Sequence, residues 1–166
     1  MGHIRRMLAL AKSLHKLGAS PVLFAPREKT ERLIKLNNAF RPKIINFQSE
    51  TLFNDWLSGK ADNWARALPD LSIYHSVVSD NLLEILHIRK DAWLSGSFIW
   101  QYALSGIASN QVSNADKILN QYNPRIIASS FFAADYLYKK ARVFKVGLFS
   151  FYSSHKYHNG SDILIS

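Results

Sequence analysis

Apolar residues recur at helical spacing at the front of the chain. Ile4, Met7, Leu8, Leu10, Ala11, Leu14 and Leu17 fall on one broad face, with Arg5, Lys12 and Lys16 opposite. This predicts an amphipathic helix from Ile4 to Leu17, with Gly18 as its C-terminal stop. Pro21 to Ala25 then reads as a short buried strand closed by Pro26, and Thr30 as the N-cap of a helix from Glu31 to Leu36. Lys43 to Phe47 predicts a second strand. Between residues 49 and 69, Phe53, Trp56, Leu57, Trp64 and Leu68 suggest two short helices broken near Ser58-Gly59. Ile73 to Ser79 predicts a third strand, Asp80-Asn81 a turn, and Leu82 to Ile88 a short helix. Ala92 to Phe98 is expected as a fourth strand and Ser105 to Tyr122 as a helix stopped by Asn123-Pro124. Arg125 to Ser129, Ala133 to Ala141 and Lys145 to Phe149 complete the series as strand, helix and strand. The tail after Phe151 is polar and without periodicity.

Short apolar strands alternating with amphipathic helices indicate an α/β fold. The expected architecture is Rossmann-like and doubly wound, with a mainly parallel sheet of about six strands. No linker, internal repeat or low-complexity segment divides residues 1–166, so one domain is expected. The first helix has no strand before it. In a doubly wound sheet the first strand is normally central, between the strands expected at 21–25 and 73–79. We therefore expect the chain to start inside such a unit, truncated at its N-terminus with the usual first central strand missing.

Composition narrows the classes. The chain has 166 residues, is 48% hydrophobic and contains no cysteine, which fits a globular domain and excludes disulfides and thiolate zinc sites. No apolar run approaches the ~18 residues of a membrane span, and no secretory cleavage pattern follows the basic N-terminus, so a cytoplasmic location is expected. The net charge of +9 is uneven. Residues 1–43 carry ten basic and two acidic side chains, and residues 44–166 carry eleven and ten. The positive field at the front suits an anionic partner, or is a solvated surface.

The chemistry concentrates at Gly2-His3. A glycine turn opening a helix favours anions through free N–H groups and the helix dipole. His3 can take a proton from a hydroxyl or water near neutral pH, and Arg6, one turn on, can clamp a phosphate. The longer stretch GHIRRMLALAKSLHKLGASPVLFAP resembles the opening of GT-B fold glycosyltransferases. Their pattern is a Gly-rich loop ending in Gly-His, a helix of the form R-x-L-A-L-A-x-x-L, a glycine and a strand. It is most similar to the bacterial cell-wall N-acetylglucosaminyltransferase and to the nucleotide-sugar hydrolase of pseudaminic acid synthesis. The hydrolase loop, G-H-x-x-R, falls on Gly2, His3 and Arg6. The resemblance covers residues 2–26, and the glycines that precede Gly2 in the family pattern are absent from this sequence.

The resemblance implies that His3 is the general base of an inverting transfer. It would deprotonate a hydroxyl acceptor, lipid-linked or not, or a water in the hydrolase variant. It also implies that the nucleotide-sugar donor is held by a C-terminal domain or a partner subunit that 166 residues do not supply. The chain then reads as the acceptor-binding N-terminal half, inactive alone. No cofactor and no metal are implied: His155 and His158 stand in the polar tail without a third ligand.

Ligands of open α/β sheets gather beyond the carboxyl ends of the strands. That rule selects Asp80, to orient His3 or to accept an acceptor hydroxyl, with Asn81, Ser97, Ser129 and Ser130 as substrate- or phosphate-binding candidates. Asp80-Asn81 and Ser129-Ser130 can equally cap the helices that follow them. Trp56, Trp64, Phe98, Trp100, Phe131 and Phe132 form either an acceptor platform or core. Residues 49–69 with the basic helix face suggest peripheral contact with an anionic membrane. Against a nucleic-acid-binding module, the basic residues are not interleaved with aromatics and no nucleic-acid motif appears.

Overall fold

The computed structural model describes residues 2–37, 39–47, 63–107 and 109–147. Its elements are helix α1 (Gly2–Lys16), strand β1 (Val22–Ala25), α2 (Arg27–Asn37), β2 (Lys43–Asn46), α3 (Asn63–Arg66), β3 (Val78–Asp80), a 3-10 helix (Leu83–His87), β4 (Trp93–Ser95), α4 (Trp100–Ala103), α5 (Ser109–Tyr122), β5 (Arg125–Ser129), α6 (Leu137–Lys140) and β6 (Arg142–Val146). The fold is α/β and every strand pair is parallel. The six strands form two sheets, a two-stranded β1-β2 and a four-stranded β3-β4-β5-β6. β1 and β3 therefore each present an edge without a ladder partner among the described residues, at the place where a doubly wound sheet sets its central strand.

Two cores match the two sheets. Leu8 of α1, Leu33 and Ile34 of α2 and Ile44 of β2 close the smaller. The larger joins Ala115, Ile118 and Leu119 of α5 to Leu94, Ile126 and Ala128 of the sheet and to Leu83 and Leu86 of the 3-10 helix. Ile126 and Ala128 alternate with less buried neighbours along β5, so one face of that strand is packed. Phe24 of β1 reaches the larger core and meets Tyr74 edge-on at 5.8 Å, which ties the two sheets together.

α1 ends as its sequence predicts. Gly18, at φ 89°, places its N–H on the His15 carbonyl, and the Ala19 N–H on that of Leu14, which is a Schellman closure. Other expectations need correction. Thr30 is not an N-cap: α2 begins at Arg27, whose N–H donates to Asn46 Oδ1, and the buried Thr30 hydroxyl donates back to the Pro26 carbonyl at 2.8 Å.

The third strand covers only Val78–Asp80. Asp70 accepts from the Ser72 N–H and hydroxyl, and Arg89 takes the Leu71 and His75 carbonyls, so this backbone is spent on turns rather than a ladder. β4 stops at Ser95, because Ser97 gives its carbonyl to the Ala134 N–H instead. The helix expected over residues 105–122 begins at Ser109, with the separate turn α4 before it. The helix expected over 133–141 is confined to Leu137–Lys140, and β6 starts three residues early, at Arg142. Of the pair expected in 49–69, only Asn63–Arg66 lies within the described residues. Trp56, the Trp64 side chain and the tail with His155 and His158 lie outside them.

Candidate functional site

The first turn of α1 meets the carboxyl end of β3. His3 and Arg6 share one helix face because residues three apart do. Both reach Asp80, the last residue of β3. His3 Nδ1 lies 2.6 Å from Asp80 Oδ2. Arg6 Nη2 donates to Oδ2 at 3.1 Å and to Oδ1 at 3.2 Å, and its Nε to Oδ1 at 3.3 Å. The Asp80 side chain is 9% exposed, while His3 is 47% and Arg6 36% exposed. A part-buried carboxylate thus anchors two half-exposed cationic or basic groups.

The geometry assigns the imidazole proton. A bare nitrogen lone pair would be repelled by a carboxylate oxygen 2.6 Å away, so Nδ1 carries the hydrogen and donates it to Asp80. Arg6 Nη2 stands 3.0 Å from the same nitrogen because both groups crowd around one carboxylate. In the neutral ring Nε2 is then the free acceptor. This is the arrangement of a general base held in one tautomer by a carboxylate. Gly2 opens the helix beside it: a Cβ there would lie 3.9 Å from Arg6 Nη1.

The remaining candidates divide. Asn81, 5% exposed and at φ 63°, fills the space over Gly96, where an added Cβ would stand 3.0 Å from its Cγ. Its role in this geometry is packing against β4. Neither Asp80 nor Asn81 caps the 3-10 helix: Leu82 holds the N-cap position without a side-chain bond. Ser129 Oγ accepts the Phe131 N–H at 3.2 Å, which commits it to its own turn. Ser130 is exposed, with its N–H on the Val146 carbonyl. The Ser97 and Ser129 loops touch through the Ala134 N–H to Ser97 carbonyl bond of 2.8 Å. They form the same rim as Asp80, at the carboxyl ends of β4 and β5, and within the described residues their side chains make no hydrogen bond to His3 or Arg6.

Trp100 is the neighbour that residue patterns did not single out for His3. Its ring lies 6.0 Å from the imidazole and carries Phe98 edge-on at 4.8 Å. Phe131 and Phe132, both 70% exposed, continue the apolar rim. The only signal in the sequence was the aromatic cluster itself. Below the rim, the fully buried Glu84 accepts from Gln101 Nε2 at 2.9 Å, tying the 3-10 helix to α4.

Among the described residues no three His, Asp or Glu side chains converge as a metal ion would need, and no helix is long and apolar enough to cross a membrane. No family model, curated protein or solved structure matches this chain.

Proposed function

We propose that His3 is a general base for transfer of a sugar from a nucleotide-sugar donor to a hydroxyl acceptor, as in GT-B glycosyltransferases. The observation that carries this reading is the 2.6 Å contact between His3 Nδ1 and the part-buried Asp80 carboxylate, which leaves Nε2 to accept the acceptor's proton. Arg6 bonds both oxygens of the Asp80 carboxylate and stands in the first turns of α1. There, a diphosphate meets both a guanidinium and free N–H groups. Phe98, Trp100, Phe131 and Phe132 would provide the apolar side of the acceptor cleft. The donor would be bound mainly by a further domain or a partner subunit, in the cytoplasm or at the inner membrane face.

The half-exposed imidazole supports a second reading on the same scaffold, a nucleotide-sugar hydrolase in which water replaces the acceptor. Product analysis separates the two, since only transfer yields a glycosylated acceptor.

The test is nucleotide release from a panel of nucleotide sugars, by this chain alone and together with its donor-binding domain or partner. His3→Ala is expected to lower turnover by about 10²-fold or more while leaving nucleotide-sugar binding nearly unchanged. Release that proceeds equally in His3→Ala would remove the histidine from the mechanism. Binding of nucleic acid in place of any nucleotide sugar would favour a basic binding module without catalysis.

A further inference from the structure

The end of the sheet opposite His3 carries a separate set of charges. Arg125 and Arg142 are the first residues of β5 and β6 and are directly paired across the parallel ladder. Side chains at paired positions point to the same face, with strands ~4.8 Å apart. The two arginine side chains therefore leave the same face, and like charges set side by side across a sheet are unfavourable. Lys90, in the turn before β4, joins them around a cavity of about 260 Å3 also lined by Tyr122 and Pro124.

Among the described residues, the one local acid offsets only part of this charge. Asp91 borders the cavity, but its carboxylate is taken by Arg89, through Nε at 2.6 Å and Nη2 at 3.3 Å. That hydrogen bond holds the Asp91 carboxyl below its ordinary range, so it stays ionised and committed to Arg89. Arg125 lies within electrostatic reach of the Asp91 carboxylate, while its direct contacts are with neutral groups. Its Nη2 donates to the Asp91 carbonyl at 2.7 Å, and its guanidinium lies 4.4 Å over the Trp93 ring. Lys90 and Arg142 have no side-chain partner among the described residues.

We infer that this cavity is an anion site for a phosphate group, free or as a small phosphate monoester. Two guanidinium groups and an ammonium line it, from two strand starts and a turn. Such a set of donors suits a tetrahedral oxyanion with several acceptor oxygens better than a flat carboxylate, which one fork can satisfy. A bound phosphate relieves the repulsion between Arg125 and Arg142. The site is independent of the reading of His3, which lies at the carboxyl ends of the strands.

The experiment titrates the full chain with inorganic phosphate at constant ionic strength, following backbone amide resonances. A second arm uses a sugar monophosphate, and a third uses acetate. The expected result is saturable shifts at Lys90, Asp91, Arg125 and Arg142, with a Kd of about 1 mM or tighter and no saturation by acetate. Tighter binding of the monophosphate identifies an ester as the ligand, and equal binding identifies free phosphate. Arg142→Gln and Lys90→Gln, both at exposed positions, should each weaken binding about tenfold or more. Arg5→Gln with Lys16→Gln, equally basic but on α1, should leave it unchanged. Non-saturating shifts spread over the whole basic surface, or phosphate binding indifferent to Arg142→Gln and Lys90→Gln, would overturn the proposal.

Discussion

Asp80 gathers the side chains of the candidate site. It accepts from His3 and from both Nε and Nη2 of Arg6 while 9% exposed. Removing its charge leaves the shape but not the tautomer, because an amide at this position no longer requires a proton on Nδ1 of His3. Asp80→Asn is therefore expected to lower any His3-dependent turnover by about 10²- to 10⁴-fold, with the fold retained by circular dichroism. Turnover close to that of the parent chain would show that the carboxylate does not orient the base. The same residue scale explains Gly96, whose missing side chain makes room for Asn81.

Among the elements, α4, α5 and α6 are stitched by one polar knot. Tyr102 donates to Asp116 at 2.5 Å, and Lys140 pairs with the same carboxylate. The Lys140 bond first, and the Tyr102 bond second, hold the Asp116 carboxyl below its ordinary 3.8. A carboxyl lowered by folding contributes stability above its ordinary value and loses it as the pH falls through and below 3.8. In urea unfolding on either side of that pH, the parent chain should lose more stability on acidification than Asp116→Asn. The difference should stay within about 1 kcal/mol, as for exposed ion pairs. The sheets offer a second test at this scale. β4 and β5 are paired on both sides, whereas β1 and β3 each keep one open edge. Amide hydrogen exchange should be much slower in β4 and β5 than at the open-edge amides of β1 and β3. Equal protection would mean that the two sheets are joined in solution.

At the scale of the whole molecule, the site depends on two cores at once. His3 and Arg6 ride on α1, which is seated by Leu8 on Leu33, Ile34 and Ile44. Asp80 belongs to the sheet that packs on the larger core. Leu33→Ala is expected to cost about 2–5 kcal/mol, read as a lower denaturation midpoint. It should also shift the His3 imidazole resonances, because loosening the smaller core moves α1 relative to β3. Unchanged imidazole signals would show that the contact is held by the first turn of α1 alone.

Much of this was open to reading from residue order. The apolar stripe of α1, its Gly18 stop, the strand at 125–129 and the α/β alternation all depend on local periodicity and backbone preference, which a linear pattern records. The rule that ligands gather beyond strand carboxyl ends placed Asp80 among the candidates for the rim that His3 faces. It did not separate Asp80 from Asn81, because only the packing of Gly96 shows that one faces the histidine and the other fills space. Nor did it foresee Trp100 beside His3, or the strand at 73–79 shortened by Arg89, since both arise from contacts between distant segments. The sequence by itself determined which segments coil and which extend, because helix and strand periods are written in neighbouring residues. Tertiary structure alone decided that a histidine and an aspartate 77 positions apart come within hydrogen-bond distance, and that two arginines pair across a ladder. Strand register and helix placement bring such groups within bonding distance, and neither is set by the residues adjoining them.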